Sequence, residues 1–254
     1  MKAVIQCGGF GSRLMPYAMV LPKPLMPVGS HPVLELLIGW LRRNGISEII
    51  ITTGYLGCLI KTLFGDGSKW GVDITYTEEA GPLGTIGSLS LLREVLDEPF
   101  IVLNGDILTD LNLERMIDFH HEMDAAVTIA TVARQTKLDY GVLDGAPNTW
   151  IESFREKPSL THSVSMGVYC LNPDVIRHVP REMPFGFDDL VLRLLARQAH
   201  VCSFRHDGFW LDIGRLDDFR DAQALPWINP LPAQGNICNP DEVDIAQENF
   251  VSNL

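Results

Sequence analysis

The sequence lacks the features that mark membrane proteins and nucleic-acid-coating proteins. No apolar run in its 254 residues approaches the roughly 18–20 residues that a membrane-spanning helix needs. The first ten residues hold one lysine and reach a glycine pair too early for a signal peptide, so we expect no such peptide. Basic residues are scarce, because 20 lysines and arginines face 32 aspartates and glutamates. The resulting net charge of −12 argues against nucleic acid as a partner.

Cysteine is also sparse and shows no organised spacing. The five cysteines are odd in number, and no two of them form a CxxC pair. We therefore expect reduced thiols and a cytoplasmic location, not a disulfide framework or a zinc site. The five are Cys7, Cys58, Cys170, Cys202 and Cys238.

What the chain does have is the composition of an ordinary globular protein. Hydrophobic residues make up 46% of it and charged residues 20%, which excludes disorder and collagen-like repeats. Its length suits one large α/β domain or two small ones. Residues 226–254 lose periodicity and are rich in proline, asparagine and acids. We predict one domain over residues 1–225 and an extended C-terminal tail over 226–254.

Short apolar runs alternate with helical ones, which indicates a βαβ sheet covered by helices. After residue 132 the rhythm changes, and short strands at 140–143, 150–154 and 163–170 indicate an antiparallel insertion. The other strands are predicted at 2–7, 48–53, 72–77, 99–103, 125–132 and 200–204. Helices are predicted at 33–43, 56–64, 113–121, 173–178, 188–197 and 216–224, with a further helical stretch opening at residue 83.

A glycine-rich turn, GGFGSR at 8–13, directly follows the first strand. Glycines there allow backbone N–H groups to approach a phosphate chain, although a simple tight turn explains the same residues. A P-loop would need GxxxxGK[ST], and a dinucleotide fingerprint would need a glycine at Leu14. Ten residues after Arg13, the PKPL segment places Lys23 between two prolines. We expect it to hold that lysine on a stiff, extended segment.

Together, GGFGSRL at 8–14 and PKPLMPV at 22–28 resemble the signature of the sugar-1-phosphate nucleotidyltransferases. The resemblance covers residues 2–224 and is nearest to the mannose-1-phosphate guanylyltransferase-like branch. It implies a three-layer α/β/α Rossmann-like domain with a mixed, mainly parallel sheet, and a homo-oligomer, dimeric or tetrameric. It continues in family order through TGYLG (53–57), FGDGSKWGV (64–72), PLGTIG (82–87), LNGD (103–106), YGV (140–142), EKP (156–158) and WLDIG (210–214).

The resemblance also implies roles for individual residues, with Mg²⁺ as the cofactor and an NTP and a sugar 1-phosphate as substrates. The catalytic set is Arg13, Lys23, Asp106, Lys157 and Asp212, of which Asp106 and Asp212 are the metal ligands; the nucleotide-binding set is Gly8, Gly9, Gly11, Ser12, Glu79, Gly84 and Asn104; and the sugar-phosphate-binding set is Gly141, Glu156, Lys157 and Ser165.

The reaction that the resemblance implies is attack by a sugar-phosphate oxygen on the α-phosphorus of the NTP, with release of pyrophosphate. A phosphate monoester is mostly ionised at neutral pH, so no general base is needed. Catalysis then rests on positioning and charge neutralisation. None of the seven histidines has to take part, and we interpret His120-His121 as a polar helix end. A catalytically inactive paralogue that senses a nucleotide sugar is the alternative from another class.

Four positions depart from the family pattern. Gln6-Cys7 replaces the first two residues of the usual LAGG, Met15 replaces a frequent second arginine, and Ser165 replaces an asparagine. Glu79 falls where thymidylyl-transferring relatives place glutamine. An ionised carboxylate only accepts hydrogen bonds, which suits the adjacent N1–H and N2–H₂ of guanine. We therefore predict GTP as the substrate, with UTP, dTTP and CTP as alternatives.

Overall fold

The computed structural model describes residues 1–214 and 216–224, so the predicted tail lies outside the described residues. The strands are β1 Lys2–Cys7, β2 Pro27–Val28, β3 His31–Pro32, β4 Glu48–Thr53, β5 Asp73–Glu78, β6 Phe100–Asn104, β7 Ile107–Thr109, β8 Val127–Lys137, β9 Val142–Asp144, β10 Ser153–Arg155, β11 Ser159–Leu171, β12 Val201–Arg205 and β13 Trp210–Asp212. The α-helices are α1 Val33–Arg43, α2 Gly57–Phe64, α3 Leu113–Glu122, α4 Phe187–Leu195 and α5 Leu216–Gln223; 3₁₀ helices span Ser12–Leu14, Tyr17–Met19, Lys23–Leu25, Ser68–Trp70, Gly87–Leu92 and Pro173–His178.

Seven of the strands form one sheet in the order β12-β8-β11-β6-β1-β4-β5. Strands β6, β1, β4 and β5 run parallel, and β12 runs parallel to β8. Strand β11 is antiparallel to both of its neighbours. The expected mixed, mainly parallel sheet is therefore confirmed.

Both faces of this sheet are covered, which explains why its central strands read as continuous apolar runs. Successive side chains of a strand point to opposite faces, and Ile5 packs in one core cluster whereas Val4 packs in the other. Helices α1, α2 and α3 contribute to the first cluster. The 3₁₀ helices Gly87–Leu92 and Pro173–His178 join α4 in the second. The three-layer arrangement is confirmed, and none of the described helices is long and apolar enough to cross a membrane.

The carboxyl ends of the parallel strands define where the loops meet. Strand β1 lies between β4 and β6, with Gln6 in register with both Thr52 and Asn104. In an open α/β sheet, ligands bind outside these carboxyl ends. The glycine-rich turn after β1 and the LNGD segment after β6 therefore lie side by side.

An exposed arm extends from the other half of the sheet. Strands β8 and β11 are longer than predicted, and they pair from Thr131 with Ser165 out to Lys137 with Ser159. Between them, β9 and β10 form a small antiparallel hairpin. The antiparallel insertion is confirmed, although its strands begin and end a few residues away from the predicted bounds.

Three local predictions were wrong. Lys23 lies in a 3₁₀ turn, closed by a hydrogen bond from Leu25 N–H to the Pro22 carbonyl at 2.8 Å, and not on an extended segment. The helical stretch expected from residue 83 begins only at Gly87, because Gly84 has a φ of +76° that a helix does not allow. His120 is buried and hydrogen-bonded, and is not part of a polar helix end.

Candidate active site

In the turn after β1, the backbone of Gly8 lies close to the carboxylate of Glu79 and to the backbone of Gly54. A Cβ on Gly8 would lie 2.8 Å from Cδ of Glu79, and one on Gly54 would lie 2.8 Å from the Gly8 carbonyl oxygen. Real Cβ atoms do not approach other atoms this closely, so any side chain at Gly8 would displace Glu79. Glycine at position 8 is therefore what brings the loop after β5 against the loop after β1.

Gly11 and the short helix that follows it position Arg13. Gly11 has a φ of +62°, a conformation that glycine adopts at little cost, and it precedes the 3₁₀ turn Ser12–Leu14. Leu14 is fully buried and anchors that turn, whereas Arg13 is exposed. The guanidinium is thus held on a fixed turn at the rim of the site.

Lys23, Asp106 and Asp212 form the charged centre of the site. The Lys23 ammonium makes an ion pair with Asp106 and lies 3.8 Å from Asp212 Oδ1. The side chains of Lys23 and Asp106 are 15% and 16% exposed, and that of Asp212 is 43% exposed. The resemblance implied that all three belong to one catalytic set, and the structure brings them together.

A pair of three-residue strands carries Asp212 to Asp106. Strand β13 is antiparallel to β7, with Asp212 in register with Ile107. The Ile213 N–H donates to the Asp106 carbonyl at 2.8 Å. Thr109 Oγ1 donates to the Phe209 carbonyl at 3.0 Å and holds the other end of the pair. The two aspartates therefore meet although 106 positions separate them in the sequence.

The electrostatics of this centre suit a small, hard cation. Burial lowers the pKa of Lys23, and nearby Arg13 lowers it further, whereas Asp212 raises it. Oδ1 of Asp106 and Oδ1 of Asp212 are both buried, and no described residue donates a hydrogen bond to either. Two carboxylate oxygens without donors are acceptors that a cation would satisfy.

Magnesium fits this donor set better than zinc does. No group of three or more His, Cys, Asp or Glu side chains that could hold a metal occurs among the described residues. Mg²⁺ commonly binds through one or two carboxylates and takes its other ligands from water and substrate phosphates. Asp106 and Asp212 are the residues that would hold it.

A cavity of about 260 Å³ opens beside the charged centre. It brings together all seven residues predicted to bind nucleotide, as well as three of the predicted catalytic residues. The predicted residues in its lining are Gly8, Gly9, Gly11, Ser12, Arg13, Lys23, Glu79, Gly84, Asn104 and Asp106. The lining also contains residues to which sequence reasoning gave no role, namely Gln6, Cys7, Pro24, Thr85, Gly105 and Gly214.

Two hydrogen bonds, one from its backbone and one to its side chain, hold Glu79 at one wall of the cavity. Its N–H donates to the Thr53 carbonyl at 2.8 Å, and its Oε2 accepts from Leu83 N–H at 3.2 Å. Burial raises the pKa of Glu79, and the hydrogen bond from Leu83 opposes that rise. A Cβ on Gly84 would lie 2.8 Å from the Phe185 carbonyl oxygen, which keeps this position small.

The residues predicted to bind the sugar phosphate lie along the arm, outside the cavity lining. Glu156 and Lys157 are exposed, and Lys157 has a φ of +43°. A Cβ on Gly141 would lie 3.3 Å from Glu156 Oε2, so these two positions adjoin. Ser165 Oγ donates to the Tyr169 hydroxyl at 3.1 Å. The structure groups Gly141 with Glu156, but it does not bring the sugar set into the nucleotide cavity.

Two contacts connect the arm to the charged centre, and sequence reasoning missed both. Asn104 packs against Gly167, where a Cβ would lie 3.0 Å from Cγ of the asparagine. Trp210, two residues before Asp212, donates from Nε1 to the Met166 carbonyl at 2.8 Å. The tryptophan that opens WLDIG was the available signal. These contacts fix the base of the arm beside the two aspartates.

Comparison with known proteins places the chain among nucleotidyl transferases. Residues 2–225 match the family described as "Nucleotidyl transferase". The chain is 35% identical to a mannose-1-phosphate guanyltransferase of Candida albicans over 89% of its own length and 64% of that relative. It is 32% identical to a UTP–glucose-1-phosphate uridylyltransferase of Synechocystis sp., over 87% of its length and 62% of that relative. The chain thus spans less than two thirds of the length of these relatives.

Solved structures give the same fold. HddC from Yersinia pseudotuberculosis, complexed with GMP-PN, is 25% identical with a TM-score of 0.69, covering 87% of this chain and 97% of that one. A Bacillus anthracis protein described as a glucose-1-phosphate thymidylyltransferase is 23% identical with a TM-score of 0.72, covering 95% of this chain and 99% of that one. At that identity, the second likeness concerns the fold alone.

Proposed function

The chain belongs to the nucleotidyl transferase family, and on that premise we propose that it condenses an NTP with a sugar 1-phosphate to give an NDP-sugar and pyrophosphate. One observation carries the proposal. Two aspartates with buried, donor-free oxygens meet beside a lysine at the edge of a glycine-lined cavity. This arrangement suits a reaction whose main obstacle is the mutual repulsion of two polyanions.

In the proposed reaction, a phosphate oxygen of the sugar 1-phosphate forms a bond to the α-phosphorus of the NTP. The bond from that phosphorus to the bridging oxygen breaks, and pyrophosphate leaves with the electron pair. The nucleophile is already ionised at neutral pH, so no side chain has to remove a proton. Arg13 and Lys23 hold and neutralise the triphosphate. Mg²⁺, held by Asp106 and Asp212, would supply further neutralisation of phosphate charge when bound.

We propose GTP as the nucleotide. The carboxylate of Glu79 lines the cavity and can accept from both N1–H and N2–H₂ of guanine. Uracil or thymine would set a carbonyl oxygen against that carboxylate. The relatives named as mannose-1-phosphate guanyltransferases support the same base and make mannose 1-phosphate the first sugar to test.

We place the sugar phosphate at the arm, where Lys157 would bind the phosphate and Gly141, Glu156 and Ser165 would face the sugar. The alternative, an inactive nucleotide-sugar sensor, would be expected to lack part of the catalytic set. All five of its members are present in the sequence: Arg13, Lys23, Asp106, Lys157 and Asp212. We also expect a cytoplasmic location and a homo-oligomer, either a dimer or a tetramer. Sedimentation analysis of the purified protein would test the oligomeric state.

The test combines each of four NTPs with each of several sugar 1-phosphates in the presence of Mg²⁺. The quantity measured is the release of pyrophosphate. We expect GTP with mannose 1-phosphate to give the highest kcat/KM. Binding of nucleotide without pyrophosphate release from any pair would reject the enzyme in favour of the sensor. A tenfold preference for UTP, dTTP or CTP would reject guanine and leave the reaction class standing.

A further inference from the structure

Gln6 lies in the wall of the nucleotide cavity with an unused hydrogen-bond donor. Its Nε2 is shielded from solvent and has no hydrogen-bond partner among the described residues. Thr52, its register partner on β4, is fully buried, and no described group pairs with its Oγ1 either. Buried polar groups are almost always paired in folded proteins, so two such atoms on adjacent strands need an explanation.

The position of Gln6 relative to Glu79 supplies that explanation. Gln6 is near the end of β1, and Gly8 lies in the turn two residues later, so their Cα atoms are at most roughly 7 Å apart. Residue 8 is glycine, and the Glu79 carboxyl group occupies the space that its side chain would fill. Gln6 and Glu79 therefore belong to the wall of the same cavity.

The charge of Glu79 also orients the amide. Side-chain amide dipoles turn in the local field, and a neighbouring anion attracts the N–H₂ end and repels the carbonyl end. With its N–H₂ turned into the cavity, Gln6 would supply a donor on the same wall as the Glu79 acceptor. Guanine carries the complementary row on one edge, with the O6 acceptor followed by the N1–H and N2–H₂ donors.

We propose that Gln6 is a base-specificity residue that donates a hydrogen bond to O6 of guanine, while Glu79 accepts from N1–H and N2–H₂. The proposal rests on the nucleotidyl transfer and GTP preference proposed above. It divides base recognition between the two residues. Gln6 distinguishes a 6-oxo group from a 6-amino group, and Glu79 detects the 2-amino group.

The test uses two analogues that change different groups on the recognised edge of guanine. ITP lacks the 2-amino group, and 2,6-diaminopurine ribonucleoside triphosphate carries an amino group in place of O6 and therefore also lacks the N1–H. In Gln6→Leu we expect the kcat/KM preference for GTP over the diaminopurine nucleotide to fall about tenfold, the scale of one hydrogen bond. The preference for GTP over ITP should not change. Glu79→Gln should instead lower the preference for GTP over ITP, which Gln6→Leu leaves unchanged. It should also lower the preference over the diaminopurine nucleotide, because that base has no N1–H for Glu79 to accept.

A matched control separates recognition from packing. Thr52→Val removes the neighbouring unpaired oxygen, which does not line the cavity, and should leave both preferences as in the wild type. Because Gln6 loses no protein partner on replacement by leucine, the Tm of Gln6→Leu should not fall. A purely structural Gln6 would instead lower kcat/KM for all nucleotides alike.

The same ratios are measured as Kd values with GDP and 2,6-diaminopurine ribonucleoside diphosphate. An unchanged ratio in Gln6→Leu, or a wild-type preference for a pyrimidine nucleotide, overturns the inference. If no NTP reacts but GDP binds with the Gln6-dependent preference, the proposed reaction is wrong and the role of Gln6 stands.

Discussion

At the scale of single residues, the charged centre of the candidate site consists of Lys23, Asp106 and Asp212. Burial lowers the pKa of the lysine, and the ion pair with Asp106 keeps its ammonium beside both carboxylates. Opposite charges at such distances interact strongly when they are partly shielded from water. Each of the three groups therefore depends on the other two.

We expect Asp106→Asn and Asp212→Asn each to reduce kcat by roughly 10²–10³, the scale of losing one preorganised charged group. The amide keeps the volume of the side chain but not its charge. Steady-state kinetics over a range of Mg²⁺ concentrations measures the effect, and circular dichroism checks folding. Asp97→Asn, at an exposed carboxylate paired with Lys2, is the control and should behave as the wild type. Near-normal turnover by both site variants at saturating Mg²⁺ would reject the metal assignment.

Lys157 does not line the cavity that contains Arg13 and Lys23, so under the proposed function its loss should affect one substrate only. We expect Lys157→Ala to raise KM for the sugar 1-phosphate about tenfold or more, as for a lost hydrogen bond to a charged group. Alanine should tolerate the φ of +43° about as well as lysine does, so added backbone strain is not expected. Titration calorimetry with the NTP should show unchanged affinity. Lys137→Ala, on the same arm, is the control, and a collapse of NTP affinity in Lys157→Ala would contradict the assignment.

At the scale of elements, short strands and single side chains join segments that are far apart in the sequence. The β7–β13 pair is only three residues long, yet it closes the charged centre. Helix α3 is attached to the sheet through the side chain of His120. His120 Nδ1 lies 2.9 Å from Thr128 Oγ1 on β8, and His120 Nε2 lies 3.2 Å from Asn172 Oδ1. A polar contact thus fixes α3 against the end of the sheet.

This contact predicts a pH dependence of stability. Burial lowers the pKa of His120 below its usual value of 6.5, with a smaller contribution from His121, while the contact with Asn172 opposes the shift. Below pH 6.5 the unfolded chain takes up a proton that the folded chain resists. The free energy of unfolding should therefore be highest above pH 6.5 and fall as the pH drops through the lowered pKa.

Urea denaturation from pH 8 to pH 5 measures this effect. We expect His120→Gln to be less stable at pH 8 and to show a shallower decline towards pH 5. His121→Gln, at the exposed neighbour, should keep most of the wild-type slope. Equal slopes in His120→Gln and the wild type would show that another group is responsible.

At the scale of the whole molecule, the proposed function requires a chain with a net charge of −12 to bind a polyanion. Arg13 and Lys23, which both line the cavity, are the cations that we expect to make this possible. Two cationic side chains offset only a small part of the net negative charge of the chain. We therefore expect nucleotide binding to depend on added Mg²⁺.

We expect GTP at 100 times its Kd, with Mg²⁺, to raise the free energy of unfolding by about 2.7 kcal/mol. For a protein of this size that corresponds to roughly 5–10 °C in Tm. Removal of the metal with EDTA should abolish most of the shift, as should Asp212→Asn in the presence of Mg²⁺. Thermal denaturation measures the shift in Tm. A full shift in EDTA would show that GTP binds without a metal.

Much of the fold could be predicted because its signals are local. Strand Lys2–Cys7, helix Val33–Arg43 and strand Glu48–Thr53 have the bounds that were predicted for them. A continuous apolar run and a 3.6-residue period need no knowledge of distant neighbours. The glycine-rich turn is local in the same sense, because its glycines directly follow the strand they end.

By itself, then, the sequence determined the class of sheet, the family and the residue types available for catalysis. Only the tertiary structure decided which of them meet. Asp212 reaches Asp106 through a three-residue strand too short to show a period, and Gln6 and Glu79 line one cavity because β1 lies beside β4 and β4 beside β5. His120 is buried because α3 packs against β8. Each of these contacts depends on strand order, and strand order is a property of how distant segments pack, which local patterns do not encode.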